Sequence, residues 1–374
     1  MSVLLAGGGT GGHVFPLVAI ADALLQLCSD CRLLFVGTRR GLEGTVVPPL
    51  GYRIEYLDIR PIRGLGLLGA VRGTVHAMAA MPESGRLLNQ ESPDVVLSVG
   101  GYAAGPITLA AWTLGIPTAL LEPNSAMGLA NLCLATVVDR AYTAFDEVEG
   151  YFSASRVART GVPLRKGFNP QPPVDHHGGL RILILGGSQG AAALNELVPR
   201  VVAQLGGSVE VLHQCGPKHV ERVCEAYCDC DHRVRVVPFI DDMPSAIAWS
   251  DVVISRSGAS AVSEICAIGR ASILIPYPFA AGAHQLKNAR ALAKIGAAMC
   301  MESDSTNVPA LKACLQRLRD NPDQLLRMSR AAEKWSRPDA AGVIARDLIS
   351  LGRPQCARHH TQSTEDGALK GTEA

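Results

Sequence analysis

Charge is scarce in this chain, and what there is cancels: 35 lysines and arginines stand against 34 aspartates and glutamates, a net charge of +1. So even a balance gives no bulk field for a polyanion, which argues against nucleic acid as a partner and leaves any acidic surface to a local basic patch. No basic region precedes the first apolar run, and that run stops at Gly7, so a secretory signal is not expected. The longest uncharged stretch, Val95 to Leu121, is interrupted by Gly100, Gly101, Gly105, Pro106, Gly115 and Pro117. These divide it into strand, loop, helix and strand rather than a membrane span. Regularly spaced cysteines are also missing: the eleven present are scattered, which points to free thiols in a reducing compartment. Cys28-Ser29-Asp30-Cys31 has thioredoxin-like spacing but precedes a strand instead of opening a helix. Cys224, Cys228, Cys230 and His232 straddle a helix end too loosely for a zinc site, and one Asp229-Cys230-Asp231 triplet in a turn is weak evidence of a metal. Neither a metal nor a cofactor is expected.

What is present is most informative at the start. Val3-Leu4-Leu5-Ala6 runs into Gly7-Gly8-Gly9-Thr10-Gly11-Gly12-His13, and Val14, Leu17, Ile20, Ala21 and Leu24 follow at helical spacing. This reads as strand, tight turn and helix. Glycines there let backbone N–H groups and the positive end of the helix approach an anion, so the turn is a candidate phosphate cradle with a histidine at its mouth. The device recurs where Arg181 to Leu185 runs into Gly186-Gly187-Ser188-Gln189-Gly190 and a helical pattern from Ala191 to Leu205. Two such units imply two similar α/β domains facing each other, each with one anion site.

A chain of 374 residues is long enough for two such domains. Strands are predicted near 2–6, 32–37, 53–58, 94–98, 117–121 and 138–142, then near 181–186, 209–213, 233–237, 251–255, 272–276 and 297–301. Helices of crossover length lie between them, which predicts parallel sheets covered on both faces. A turn-rich linker edge spans Asn169 to Gly179, a helical segment runs from Asn321 to Leu351, and a polar aperiodic tail follows. The expected division is an N-terminal domain over 1–163, a C-terminal domain over 164–340, the end of a closing helix over 341–352 and a tail over 353–374.

Gly7, Gly9 and Gly12 satisfy the dinucleotide G-x-G-x-x-G, a weak signal alone. A nicotinamide site also wants an acidic residue at the end of the second strand, and here that strand ends Gly37-Thr38-Arg39. The whole set of segments carries more. Gly8-Gly9-Thr10-Gly11-Gly12-His13, Gly100-Gly101-Tyr102, Gly186 to Gly190, Phe239-Ile240-Asp241-Asp242-Met243 and Ser255-Arg256-Ser257-Gly258-Ala259 come in order, followed by Ser263-Glu264 and His284-Gln285. Together, over roughly residues 1–350, they resemble the MurG family, glycosyltransferases that make lipid II in bacterial cell-wall synthesis.

The resemblance implies a B-type glycosyltransferase fold, two Rossmann-like domains facing across a cleft. The N-terminal domain would hold lipid I, the undecaprenyl-linked acceptor, and the C-terminal domain UDP-N-acetylglucosamine. N-acetylglucosamine would move to the C4 hydroxyl of the muramoyl sugar with inversion. That chemistry needs a base for the hydroxyl and stabilisation of a departing diphosphate. A histidine is the side chain suited to proton transfer near neutral pH, and His13 is the candidate base, or else it caps the helix or orients a phosphate; Glu122 could hold the imidazole or act on the hydroxyl itself. Gly8, Gly9, Thr10 and Gly11 would take the acceptor diphosphate, with Thr10, Gly11 and Gly12 also at the donor. Ser188 and its neighbouring N–H groups suit the donor phosphates, while Arg165 and Arg256 supply positive charge, so no divalent metal is required. By the same resemblance Glu264 accepts the ribose hydroxyls, the Ile240 backbone meets the uracil edge, Ala259, Ser260, Ala261, Val262 and Ser263 line phosphate and ribose, Gln285 reads sugar hydroxyls and Asn124 meets the donor sugar.

Three segments depart from the family pattern: Leu121-Glu122-Pro123-Asn124 replaces His-Glu-Gln-Asn, Val162 replaces an Asn, and Ala283 replaces an acidic residue before His284-Gln285. Arg60 to Arg86 interleaves Arg60, Arg63, Arg72 and Arg86 with Leu65, Leu67, Leu68, Val71, Val75, Met78 and Met81. Such a segment could meet an anionic membrane surface, or bury its apolar side on the sheet. Peripheral attachment to the cytoplasmic face of the inner membrane is expected, with cell-wall synthesis and division proteins as possible partners. The alternatives are another B-type enzyme such as a UDP-N-acetylglucosamine epimerase, which needs no acceptor groove, and a non-catalytic cell-wall scaffold.

Overall fold

A computed structural model describes residues 1–39, 41–59, 79–101, 103–172, 179–187, 189–302 and 306–352. The first domain runs β1 (Ser2–Ala6), α1 (Gly11–Leu27), β2 (Arg32–Gly37), α2 (Glu43–Val46), β3 (Arg53–Tyr56), α3 (Met81–Glu91), β4 (Val95–Ser98), α4 (Ala104–Thr113), β5 (Thr118–Glu122), α5 (Leu129–Leu134), β6 (Arg140–Thr143) and β7 (Val157–Arg159). The second runs β8 (Gly179–Leu185), α6 (Ala192–Val202), β9 (Ser208–Gln214), α7 (Val220–Ala226), β10 (Arg233–Val237), α8 (Met243–Trp249), β11 (Val252–Ser255), α9 (Ala259–Ile268), β12 (Ala271–Leu274), α10 (His284–Lys294), β13 (Ala298–Cys300), α11 (Val308–Asp320) and α12 (Pro322–Trp335), and α13 (Ala340–Leu351) ends the described chain.

Both sheets are parallel throughout, in the orders β3-β2-β1-β4-β5-β6-β7 and β10-β9-β8-β11-β12-β13. Alternate residues of β1 serve opposite layers: Val3 and Leu5 pack with Leu17, Ile20 and Leu24 of α1, while Leu4 and Ala6 pack with Leu88 and Ile107. A strand covered on both faces has no polar positions to offer, hence the unbroken apolar runs. In each sheet the strand order reverses beside the first strand, between β1 and β4 and between β8 and β11. Open α/β sheets bind ligands at the carboxyl ends of strands at such switch points, and both glycine turns lie there.

The helical segment expected over 321–351 is two helices. Ser336 is extended (φ −61°, ψ 155°), and Pro338 keeps the helix from resuming at once, since it disfavours helix at Arg337 and lacks an N–H. The break carries α13 back to the first domain, where Ile344, Ala345 and Leu348 join the core around α1. Strand β7 was not anticipated; it has three residues and lies at the sheet edge. Of the basic apolar segment, residues 60–78 fall outside the described residues, as do Tyr102, Ser188 and the tail from 353. Among the described residues no helix is long and apolar enough to cross a membrane, and His232 turns its Nε2 to the Leu205 carbonyl at 3.0 Å.

Candidate active site in the interdomain cleft

The first glycine turn opens α1 without a side-chain cap from Thr10 and without an acidic residue in the first turn, so the helix presents bare N–H groups. Gly101, at φ +91°, lies so close that a Cβ there would stand 2.8 Å from the Gly8 carbonyl oxygen. His13 Nδ1 is 2.9 Å from that same oxygen. A carbonyl only accepts, so Nδ1 carries a proton and donates, and in the neutral tautomer the lone pair lies on Nε2. Nε2 faces Gly100, where a Cβ would stand 3.6 Å from it and 3.6 Å from Asn131 Oδ1. Asn131 is buried; its amide donates to Glu122 at 2.9 Å and to the Leu121 carbonyl at 3.2 Å, and its Oδ1 has no partner among the described residues.

Glu122 ends β5 and is buried. Its carboxylate accepts from the Asn124 backbone (3.1 Å) and side chain (3.2 Å), the Gly128 backbone (3.0 Å) and Asn131. It shapes the turn after β5, while the His13 ring is held by Gly8. Leu121, a departure from the family pattern, is wholly buried in the core around α1.

In the second domain Gly186 to Gly190 joins β8 to α6, whose start also lacks a side-chain cap and an acidic residue. Gly190 packs on the end of β9, where a Cβ would overlap the Cys215 carbonyl. That carbonyl accepts from Asn195 at 2.9 Å, and Asn195 Oδ1 bonds His213 Nε2 at 3.0 Å while Tyr227 meets His213 Nδ1 at 3.0 Å. Burial alone pushes the His213 imidazole down to about 4, so a neutral ring braces the second turn.

Helix α9 begins bare at Gly258 and points into the cleft. Ala259 and Val262 pack in the core with Cys266 and Leu274, so only their backbone can face a ligand. The Ser260 hydroxyl lies 4.0 Å from a Cβ built on Gly12 of the opposite domain, and the hydroxyls of Ser260 and Ser263 have no partner among the described residues. Glu264 stands 3.7 Å from Arg165. Burial pushes its carboxyl up to about 7, against the opposing pull of Arg165. The Arg165 guanidinium lies over Phe15 of α1 at 4.8 Å, so one cation touches both domains. Arg256 is a clamp as well as a cation: Nη1 donates to the Ile275 and Pro276 carbonyls at 3.0 and 2.9 Å, and the group lies 5.6 Å over Tyr277. The Tyr277 N–H donates to Gln285 Oε1 at 2.9 Å, leaving that carboxamide nitrogen to donate. Ile240 packs on the cluster containing Leu183 and Ile247. Ala283 takes a left-handed φ of 52° just before α10, a conformation acidic and amide side chains adopt more readily than alanine.

The reading from sequence did not single out Asn288, Asn131 or Glu43. Asn288 is fully buried. Its Oδ1 accepts from the Ser125 N–H (2.8 Å) and hydroxyl (2.9 Å), and its Nδ2 donates to Asn124 Oδ1 (3.1 Å) and the Ser257 carbonyl (3.0 Å). The available signal was its place three residues after Gln285, one turn along the same helix face.

Two doubly covered parallel-sheet domains, each with a glycine turn at its switch point, the first of them facing the start of α9 from the other domain, define the B-type glycosyltransferase fold. Residues 3–143 match the glycosyltransferase family 28 N-terminal domain and residues 181–344 the glycosyltransferase family 28 C-terminal domain. The chain is 47% identical over 360 residues to the UDP-N-acetylglucosamine--N-acetylmuramyl-(pentapeptide) pyrophosphoryl-undecaprenol N-acetylglucosamine transferase of Sorangium cellulosum, covering 94% of this chain and 89% of that protein. It is 40% identical to the transferase of the same description from Anaeromyxobacter sp. strain K, covering 98% and 97%. The crystal structure of Acinetobacter baumannii MurG superposes with a TM-score of 0.81 at 32% identity, covering 93% of this chain and 99% of that one. The Neisseria meningitidis UDP-GlcNAc 2-epimerase shares the fold alone, at TM-score 0.64 and 13% identity over 94% of this chain and 100% of that one. The chain belongs to glycosyltransferase family 28, on its MurG branch.

Proposed function

We propose that the chain transfers N-acetylglucosamine from UDP-N-acetylglucosamine to the C4 hydroxyl of undecaprenyl-pyrophosphoryl-N-acetylmuramoyl-pentapeptide, converting lipid I to lipid II with inversion. The names of its relatives support the reaction. The observation that carries the chemistry is the His13 imidazole, its Nδ1 fixed on the Gly8 carbonyl so that Nε2 is the nitrogen left for the acceptor proton. As the acceptor oxygen bonds to the anomeric carbon, its proton passes to Nε2. The bond from that carbon to the β-phosphate oxygen breaks, and UDP departs with the electron pair. N–H groups of the second glycine turn and of the start of α9, with Ser188, Arg165 and Arg256, receive the growing diphosphate charge.

Glu264 accepts the ribose hydroxyls, the Ile240 backbone reads uracil, and Gln285 and Asn124 contact the sugar. Asn124 exchanges its bond with Asn288 for one with substrate. Ala259 and Val262 act through their backbone, Ser260 through its hydroxyl near Gly12, Ala261 and Ser263 line the phosphate and ribose with them, and Gly8 to Gly12 flank the acceptor diphosphate. Glu122 holds the shape of the sugar-side turn. The enzyme works as a peripheral protein on the cytoplasmic face of the inner membrane, with basic residues of the 60–86 segment at the anionic surface, alongside other cell-wall and division proteins.

The test is incubation of purified protein with labelled UDP-N-acetylglucosamine and a short-chain lipid I analogue, with and without EDTA. A β-linked disaccharide product supports the reading. Epimerised nucleotide sugar without acceptor, or no turnover, overturns it. Co-sedimentation with anionic but not neutral vesicles tests the membrane assignment.

A further inference from the structure

We infer that Glu43 is a positioning residue for His13, acting through the single peptide group between Gly8 and Gly9. The inference rests on His13 being the base. Glu43 opens the short helix α2 and is 1% exposed. Space for its carboxylate exists because three neighbours lack side chains: a Cβ on Gly8, Gly37 or Gly41 would overlap it. Oε2 accepts from the Gly9 N–H at 2.7 Å, and Oε1 accepts from the Thr38 N–H at 2.7 Å and the Thr38 hydroxyl at 3.0 Å. Among the described residues no cation pairs with it. Its charge is held by dipoles, one of which leads to the active site.

The peptide group that gives its N–H to Glu43 gives its C=O to His13 Nδ1, at 2.9 Å. An amide is conjugated, so an anion at its N–H end draws electron density onto its oxygen, and hydrogen bonds in series strengthen one another by roughly 10–30% each. The array is carboxylate, peptide, imidazole. In a serine-protease triad the acid touches the ring directly, fixing the tautomer and stabilising the imidazolium; here the same influence passes through one amide. When Nε2 takes the acceptor proton, the positive ring faces a carbonyl already polarised toward it. The arrangement also turns the Gly9 N–H inward, so anion binding at this turn falls to the N–H groups of Gly11 and Gly12 at the helix start. Among the described residues the other groups near the pair are Asn131, backed by Glu122, beside His13, and Tyr56 with Arg39 stacked on it at 5.2 Å, on the Gly44 side of α2.

The test compares Glu43→Gln, His13→Ala and the double variant in the lipid I analogue assay across pH, with ¹⁵N-histidine NMR on wild type and Glu43→Gln. Glu43→Gln keeps the shape and removes the charge. Its kcat is expected to fall on the order of 10-fold or more while KM for UDP-N-acetylglucosamine, bound on the other domain, stays within about twofold. The acidic limb of kcat/KM and the His13 titration midpoint should both move to lower pH, which a packing defect alone would not cause. On the His13→Ala background Glu43→Gln should cost nothing further. Loss of activity in His13→Ala with an unmoved limb and midpoint in Glu43→Gln overturns the relay alone; near-normal turnover of His13→Ala overturns the base and the relay with it. Should Glu43→Gln not fold, wild-type NMR decides: the neutral ring must be protonated on Nδ1 and the Gly9 amide proton must shift as His13 titrates. A silent Gly9 amide or an Nε2–H ring sinks the inference.

Discussion

Asn288 Nδ2 donates to Asn124 Oδ1 at 3.1 Å, so helix α10 of the second domain grips the turn after β5 of the first. With its bonds to Ser125 and Ser257, the buried carboxamide is the latch between the domains. Asn288→Ala would leave the Ser125 N–H and the Ser257 carbonyl facing a small void. Leaving buried polar groups unpaired costs about 1–3 kcal/mol. Urea unfolding should record a loss of that size, and kcat should fall more than affinity for UDP-N-acetylglucosamine. Unchanged stability would mean the latch is not closed in solution.

His13→Ala should lower kcat by about 10²–10⁴-fold, the usual contribution of a general base. Calorimetry should find donor affinity nearly unchanged, because donor groups such as Glu264 and Arg256 lie on the second domain. A parallel loss of donor affinity would instead make His13 a binding group.

Glu264 gives the donor site a pH dependence. Its carboxyl is raised to about 7 by burial, and only the ionised form accepts two ribose hydroxyls. Affinity for UDP-N-acetylglucosamine should therefore rise with pH through 7, by up to about tenfold from one unit below the pKa to well above it. Glu264→Gln should bind more weakly and show no such rise in a calorimetric titration between pH 6 and 8.

His213 makes stability fall in acid. Its folded pKa of about 4 lies below the ordinary 6.5, so between these values the unfolded chain binds a proton that the folded chain refuses. The stability is complete above pH 6.5 and is lost as pH falls toward 4, by up to about 3 kcal/mol. Urea midpoints over this range should flatten in His213→Phe if the buried ring is the cause.

Apolar runs such as Ile182 to Leu185 and Val252 to Ile254 were legible as strands, because burial on both sheet faces leaves no room for polar alternation. The glycine turns were legible for a related reason: close backbone packing such as Gly101 on Gly8 leaves no room for a Cβ. The break at Pro338 was missed because the apolar stripe of α13 resembles a continuation of α12. Its burial against α1 could not be read either, since a stripe does not name its partner.

Among site residues, the resemblance to the family marked Glu264, Gln285 and Arg256, and local pattern marked His13 at its glycine turn. It could say that a histidine follows a glycine turn, but not which nitrogen is protonated, because that depends on the Gly8 carbonyl folding back over the ring. Glu43 was invisible for the same reason. Gly8, Gly37 and Gly41 are separated along the chain, and only the packing of β1, β2 and α2 gathers them around one carboxylate. Periodicity and glycine placement, which act over a few residues, were enough to specify two parallel-sheet domains and their turns. Hydrogen bonds between distant segments arise only once the sheets pack, and these orient His13, close Asn288 onto Asn124 and bury Glu43.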